Sequence, residues 1–380
     1  MILVINAGSS TIKYQLFQGK KVLLKDKVER IGIKGGPKNH EEATKVMIEK
    51  IIKNKIIKEL KEIKAVGHRV VHGGELEKSC EINKKVIKII EKYSEMAPLH
   101  NPAELKAIKA IKKYLPKAKN IAVFDTAFHQ TMSEKTKIYP LPYEYYKKGY
   151  KRYGFHGTSH KYIAIKTSKI LKKPLKKINL ITCHLGSGCS ITAIKKGKVI
   201  DTSMGYTPLE GVIMNTRTGN IDPGIIINML KKNNKEELNE ILNKKSGLKG
   251  ICKFSDYRDV IKGYEKKEKK CVLAWDMFCY SVKKYIGAYA GELEKVDAIV
   301  FTAGGGENIP KMREDCLPKK LLGIKIDKRK NKMISVTKAK KNKKYKTEGI
   351  ITTKESKTKV LAIGTDEEMM IMQETKKIIS

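Results

Sequence analysis

The chain has 380 residues, more than one ordinary core holds and enough for two domains of typical size. With 41% hydrophobic and 32% charged residues it is not a disordered polymer but a folded protein with a heavily ionised surface. The formal net charge of +40, from 80 basic and 40 acidic residues, would point to nucleic acid or an anionic membrane if it were concentrated in one tract.

It is not concentrated. Lysines fill the polar positions of nearly every helical pattern, as in KVMIEKIIKNKIIKELKEIK at 45–64, so a solvated surface is expected, with neither nucleic acid nor membrane as partner. The densest run, KAKKNKKYK at 338–346, has a single aromatic, Tyr345, and reads as a surface loop. Seven cysteines without a CxxC pair or regular spacing indicate reduced thiols and no zinc site or disulfide framework. No secretory leader pattern and no run of 18 apolar residues is seen, so a cytoplasmic protein is expected.

In chain order, ILVIN at 2–6 predicts a strand that ends in the small-residue turn AGSS at 7–10. TIKYQLF at 11–17 and VLLKDKV at 22–28 follow as second and third strands around a Gln18-Gly19-Lys20 turn. Helical patterns cover 41–64, 84–95 and 103–114, and the strand IAVFD at 121–125 stops on an aspartate. The opening pattern then recurs: NLITCHL at 179–185, GSGCS at 186–190 and ITAIKKGKVIDT at 191–202 form a second meander, which implies an internal duplication. Helices are predicted near 222–232 and at 270–294, and a buried strand DAIVFTA at 297–303 runs into a third glycine loop, GGGEN at 304–308. TDEEMMIMQETKKIIS at 365–380 opens on a capping residue and an acidic turn and predicts a final helix. Alternating strands and helices in both halves give the α/β class.

Three strand-to-loop junctions rich in Gly and Ser share one use, since a backbone free of bulky side chains can turn its N–H groups toward phosphate oxygens. Phosphoryl transfer asks for positioning and charge stabilisation more than covalent chemistry. Arg69 in VGHRVVHGG and Arg217 in MNTRTGNIDP both stand beside glycine turns, where a planar guanidinium suits bidentate capture of an oxyanion. Asp125 ends an apolar strand, the place from which ligands are addressed in open α/β sheets. His156 and His160 in YGFHGTSH, with His100 and His184, lack zinc-ligand spacing and are either structural or site residues.

The motifs VINAGSSTIKYQLF at 4–17, VGHRVVHGGE at 67–75, APLHNPAEL at 97–105, FDTAFHQTM at 124–132, YGFHGTSHKY at 153–162, CHLGSGCS at 183–190, DTSMGYTPLEGV at 201–212, FTAGGGEN at 301–308 and TDEE at 365–368 closely resemble the acetate kinase family, in family order across essentially the whole chain. The resemblance implies two duplicated actin-like (ribonuclease H-like) ATPase domains with a cleft between them. One comprises 1–127 plus 369–380, the other 128–368, and the protein would be a homodimer. It implies reversible transfer of the ATP γ-phosphoryl group to acetate, giving acetyl phosphate and ADP, with Mg2+ or Mn2+ as cofactor.

Matched motif by motif, Asn6 and Glu367 are the implied metal residues, and Lys13 with Ser9 and Thr11 the first phosphate loop. Arg69 is the implied substrate-binding residue, and Asp125, His156 and Arg217 the implied catalytic group. His184, Leu185, Gly186, Ser187 and Gly188 correspond to the second phosphate loop, Asp256, Tyr257 and Arg258 to a segment beside the nucleoside, and Gly304, Gly305, Gly306, Glu307 and Asn308 to the adenosine loop. A propionate kinase is the nearest alternative. Butyrate- and pyrophosphate-using relatives match less well, and a basic nucleic-acid-binding protein is the alternative from another class.

The chain departs from the family pattern at three places. Ser187 stands for an asparagine, Gly305 for an isoleucine against the nucleoside, and Asn220 for the acidic residue of an SGDIDP-like motif. The first two predict weak nucleotide binding. Of these, Gly305 removes an apolar contact from the adenine pocket.

Overall fold

The computed structural model describes every residue except Leu99, so that one position of the APLHNPAEL motif lies outside the described residues. The chain divides into two compact units, one of residues 1–130, 155–162 and 366–380, the other of residues 131–154 and 163–365.

The first unit is built on strands β1 (Ile2–Ala7), β2 (Thr11–Gln18), β3 (Lys21–Glu29), β4 (Ala65–Val70), β5 (Cys80–Glu81) and β6 (Lys119–Phe124), in the sheet order β3-β2-β1-β4-β6-β5. The three central strands β1, β4 and β6 are parallel and the outer pairings antiparallel. One face is covered by helices α1 (His40–Lys53) and α2 (Asn101–Tyr114), packed on Leu3, Ile5, Ile12 and Tyr14. The other carries the C-terminal helix Glu367–Ile379, whose Ile371 and Met372 meet Val4, Phe17, Ile121 and Val123. Gly67 of β4 permits that approach, since a Cβ there would lie 2.2 Å from Thr375 Oγ1 and 2.9 Å from Ile371 Cγ2.

The second unit repeats the design. Strands β7 (Asn179–Leu185), β8 (Cys189–Lys195), β9 (Lys198–Thr202), β10 (Ala298–Thr302), β11 (Glu348–Ile350) and β12 (Lys359–Ile363) run β11-β12-β10-β7-β8-β9. This is the first order read backwards, with the same strand directions throughout. Even the irregularity recurs, because the outer hairpin slips register once in each sheet, between Leu16 and Phe17 and between Ala193 and Ile194. The duplication expected from the paired meanders is therefore present strand for strand. The helix Lys269–Leu293 lays a stripe including Phe278, Val282, Ile286 and Tyr289 into the core.

Two elements differ from expectation. The helix predicted over 41–64 ends at Lys53, where the Asn54 side chain donates to Lys50 O at 2.7 Å and Lys55 turns left-handed at φ 53°. That reversal folds Ile57 back into the core. The GGGEN segment is not a loop but part of a short helix, Ala303–Asn308, entered through Ala303 at φ 61°. Two of its glycines, Gly305 and Gly306, serve close packing, for a Cβ on Gly306 would meet Phe301 C at 3.2 Å. Among the described residues no helix is long and apolar enough to cross a membrane.

Candidate active site

In the first unit the register of the sheet assembles a polar group at the carboxyl ends of the parallel strands. Asn6 on β1 stands opposite Lys13 on β2, Arg69 lies near the end of β4, and Asp125 follows β6 directly. The Arg69 guanidinium grips Asp125 through Nε at 3.2 and 3.3 Å and Nη2 at 2.6 Å, and its Nη1 donates to Asn6 Oδ1 at 3.3 Å. Asp125 is buried and Arg69 nearly so. Such a forked, desolvated pair fixes the planes of both groups. Burial works against the charge on Arg69, yet Asp125 and Glu367 hold its pKa above the ordinary value. Burial pushes Glu367 up to about 7, with Arg69 opposing and Asp125 reinforcing the shift.

The YGFHGTSH segment closes on this pair from its own side. The Gly157 N–H donates to Asp125 O at 2.8 Å, and the Thr158 hydroxyl donates to Asp125 Oδ1 at 3.1 Å. Between Phe155 and this glycine, His156 is held at φ 58°, a left-handed conformation that a non-glycine residue keeps only when its surroundings impose it. His129 Nε2 donates to Phe155 O, 2.8 Å away, and burial lowers its pKa to about 4; His68, bonded to Asn120 at 2.8 Å, is lowered to about 4 in the same way. Those two imidazoles are neutral structural groups at physiological pH.

The chain beyond Arg69 is pinned by α2. Asn101 Oδ1 accepts from the His72 N–H at 3.1 Å, its Nδ2 donates to His72 O at 3.0 Å, and Glu104 Oε2 accepts from the Val71 N–H at 3.1 Å. Both lie in the APLHNPAEL motif, but neither was a site candidate from the sequence. Burial raises Glu104 to about 8 against Arg69 and the Val71 hydrogen bond, and its Oε1 is buried without a partner among the described residues.

A pH dependence follows. Glu104 is protonated when folded and ionised when unfolded between its ordinary value of 4.5 and about 8, so its contribution is full below the lower value and is lost as pH rises through the upper one. Glu104→Gln keeps the acceptor for Val71 and removes the titration. Denaturation midpoints measured from pH 5 to 8.5 should fall less steeply for the variant than for the parent, and parallel curves would refute the assignment.

In the second unit a cavity of about 750 Å³ opens by the carboxyl ends of β7 and β10. Gly186, Ser187, Asp256, Tyr257, Arg258, Gly304, Gly305 and Asn308 line it, together with Asn215, Thr216, Ser255, Ile309, Ser335, Thr337 and Lys338, none of which was a site candidate from the sequence. The Tyr257 hydroxyl donates to Gly186 O at 3.0 Å and meets Cys189 Sγ at 3.1 Å, so it braces the turn of the second glycine loop. The remaining implied nucleotide residues do not line this cavity. Lys13 belongs to the first unit, His184 and Leu185 are the last residues of β7, and Gly188 O accepts the Gly186 N–H at 3.1 Å. Gly306 O accepts from buried Arg313 at 2.8 Å, and Glu307 Oε1 accepts from Thr365 N–H at 2.8 Å and from the Thr302 hydroxyl at 3.4 Å. These last two hold the Ala303–Asn308 helix in place.

Arg217 lies in a loop pinned by backbone hydrogen bonds to residues 242–249, including Thr218 N–H to Leu242 O and Leu248 N–H to Met214 O. That partner segment contains a π-turn, Ile241–Lys245, and Gly247 at φ 63°, where a Cβ would meet Met214 O at 2.2 Å and Arg217 O at 2.8 Å. The guanidinium donates to Pro208 O at 3.1 Å, has no carboxylate partner among the described residues, and has its pKa lowered by burial. A partly desolvated cation without a counter-charge is a site for an anion.

The departures read differently in three dimensions. Asn220 accepts from Gly211 N–H at 2.8 Å and donates to the Tyr285 hydroxyl at 2.8 Å, two bonds that use both ends of an amide. At Gly305 the space of a side chain is already taken, because an added Cβ would lie 2.7 Å from Met312 Cε and 2.9 Å from Leu185 O. Buried Met312 occupies that volume, so the predicted loss of apolar packing is made good from below. Gly305→Ile should overpack the site, costing about 1–3 kcal/mol of stability without lowering KM for ATP. Thermal melting and steady-state kinetics test both halves of this, and a stable variant with a lower KM would restore the empty-pocket reading.

Comparison with known proteins bears on the whole chain. The family model described as the acetokinase family matches residues 1–373. The chain belongs to the acetokinase family. Curated acetokinases align over its full length: the "Acetate kinase" of Thermotoga maritima is 48% identical, with 100% of this chain and 98% of the relative covered. That of Carboxydothermus hydrogenoformans is 46% identical, with 100% and 99% covered. Among solved structures, the acetate kinase of Porphyromonas gingivalis superposes with a TM-score of 0.90 at 39% identity, covering 100% of this chain and 99% of that one. A propionate kinase from Francisella tularensis gives 0.89 at 37% identity, with 99% of each chain covered. The duplicated α/β architecture of this acetokinase is thus that of its solved relatives.

Proposed function

We infer that this protein transfers the γ-phosphoryl group of ATP to acetate, reversibly and by direct in-line displacement, giving acetyl phosphate and ADP. The full-length acetokinase match, with the Arg69–Asp125–Asn6 constellation formed at the strand ends, carries the reading. Acetate, with a solution pKa of about 4–5, is already ionised at neutral pH, so the reaction needs no obligatory general base. In this reading Arg69 binds the carboxylate, and Arg217 and His156 stabilise charge on the transferring group. Asp125 orients Arg69 and the nucleophile, and the cavity lined by Gly186, Tyr257 and Gly305 holds the nucleotide.

A divalent cation, Mg2+ or Mn2+, fits the donor set only in part. Asn6 and Glu367 offer one amide oxygen and one carboxylate, and among the described residues there is no cluster of three or more His, Cys, Asp or Glu ligands. That suits an ion carried mainly by phosphates and water, as Mg2+ is; bound, it would neutralise phosphate charge. Glu367, raised by burial, gains an ionised state when a cation is near. Exposed Ile225, Ile227 and Leu230 supply an apolar face of the kind a homodimer would cover.

Propionate is the second acceptor to consider, since a propionate kinase superposes nearly as well as an acetate kinase. Hydroxylamine trapping of the acyl phosphate, with ATP, magnesium and formate, acetate, propionate or butyrate, ranks the acceptors. Hydroxamate formed fastest with acetate is expected; none with any acid would sink the proposal.

A further inference from the structure

The lysine run at 338–346, which the sequence presents as a surface loop, is fastened to the nucleotide cavity. It enters through the short helix Val336–Ala339, capped by Ser335. The Ser335 hydroxyl and the Thr337 N–H both donate to Asn308 Oδ1, at 3.0 and 2.9 Å, which ties the run to the Ala303–Asn308 helix. Ser335, Thr337 and Lys338 line the cavity directly.

The charge balance of the lining is uneven. Asp256 and Arg258 satisfy each other through Nε at 2.9 Å and Nη2 at 2.5 Å. Lys338, the third charged residue in the lining, has no carboxylate partner among the described residues. Its ammonium stands 5.1 Å from the centre of the Tyr345 ring, a contact that steadies the side chain without consuming its N–H donors. Behind it Lys340, Lys341, Lys343, Lys344 and Lys346 are exposed and form no ion pair among the described residues. Elsewhere on this surface lysines do pair with acids, as Lys50 does with Asp26 and Lys166 with Glu348.

We propose that this segment is a cationic wall of the nucleotide site, in which Lys338 contacts the polyphosphate-bearing ligand and the lysines behind it draw that ligand in. The proposal rests on the nucleotide reading of the cavity. It explains why a run of like charge, costly through self-repulsion, sits at this place and not in a free tail.

Calorimetric titration of the full-length protein with ATP and with adenosine, at 50 and 500 mM KCl, tests it. Lys338→Gln should weaken ATP binding roughly tenfold, the size of one charge-assisted hydrogen bond, and leave adenosine within about twofold. The quadruple variant Lys340→Gln, Lys341→Gln, Lys343→Gln, Lys344→Gln should weaken ATP roughly threefold at 50 mM KCl and not measurably at 500 mM, where exposed charges are screened. Both variants alter exposed side chains without ion pairs, so their melting temperatures should match the parent's. Unchanged ATP affinity in both, or equal losses for ATP and adenosine, would overturn the wall while leaving the cavity a nucleotide site. A parent protein that binds neither ATP nor adenosine would overturn the nucleotide reading and the wall with it.

Discussion

Arg217→Lys is expected to lower kcat by about 10²–10³, the loss seen when one donor to a transition-state oxyanion is removed, while leaving the affinity for ATP nearly intact. Arg217 is partly buried, carries no counter-charge among the described residues, and donates to Pro208 O and, more weakly, to Met214 Sδ. An ammonium in its place keeps the charge but loses the planar fork, so it cannot hold two equatorial oxygens at once. It also hydrates more strongly and resists the desolvation that the loop imposes. Initial rates over a matrix of ATP and acetate concentrations separate the cases. A near-normal kcat with only the KM for acetate raised would make Arg217 a binding residue and no more.

Gly157→Ala should be almost as severe by a different route. An added Cβ would sit 2.2 Å from Asp125 O, the same carbonyl that accepts the Gly157 N–H, and 3.1 Å from Phe128 Cβ. Neither the carbonyl nor the strand end behind it can yield as a flexible side chain would. The segment must therefore lift, which breaks the Thr158 bond to Asp125 and carries His156 out of its left-handed conformation. A displacement of about 1 Å at a reacting group costs on the order of 10² in rate, and overpacking costs about 1–3 kcal/mol of stability. Gly287→Ala is the matched control: nothing lies within 4 Å of its added Cβ in the helix Lys269–Leu293, and a gain of about 0.5–1 kcal/mol is expected there. Urea midpoints and acyl phosphate assays on both variants check this. Parent-like kinetics in Gly157→Ala would show that the clash is relieved without moving the site.

What the sequence disclosed and what it hid divide along physical lines. Strands with apolar runs bounded by glycine turns were legible because periodicity and turn chemistry are local, and two meanders with the same order sufficed to expect two sheets of one design. Arg69 was legible as a candidate because it stands beside a glycine turn, and Asp125 because it ends an apolar strand. The partners that hold them were not: Asn101 and Glu104 act on the backbone of Val71 and His72 from 29 to 33 positions away, and no local pattern encodes that. Gly305 shows the reverse failure. Its missing side chain suggested a hole, but Met312, seven residues later, fills it, and volume compensation is visible only in three dimensions. GGGEN was misread for the same reason, since glycine that frees a loop and glycine that lets a helix press on a strand are the same letter.

The C-terminal helix sets the order in which this protein can be made. Ile371 and Met372 complete the apolar face formed by Val4, Phe17, Ile121 and Val123, and Thr375 presses on Gly67, so the first unit cannot close its core until the last residues exist. More than 200 residues separate Gln130 from Asp366. At roughly 5–20 residues per second, a ribosome takes on the order of ten to fifty seconds to cross that interval. During translation the N-terminal sheet therefore waits with one side bare, while the second unit, whose strands end at Ile363, can finish as it emerges. The half of the chain synthesised first is the half that matures last.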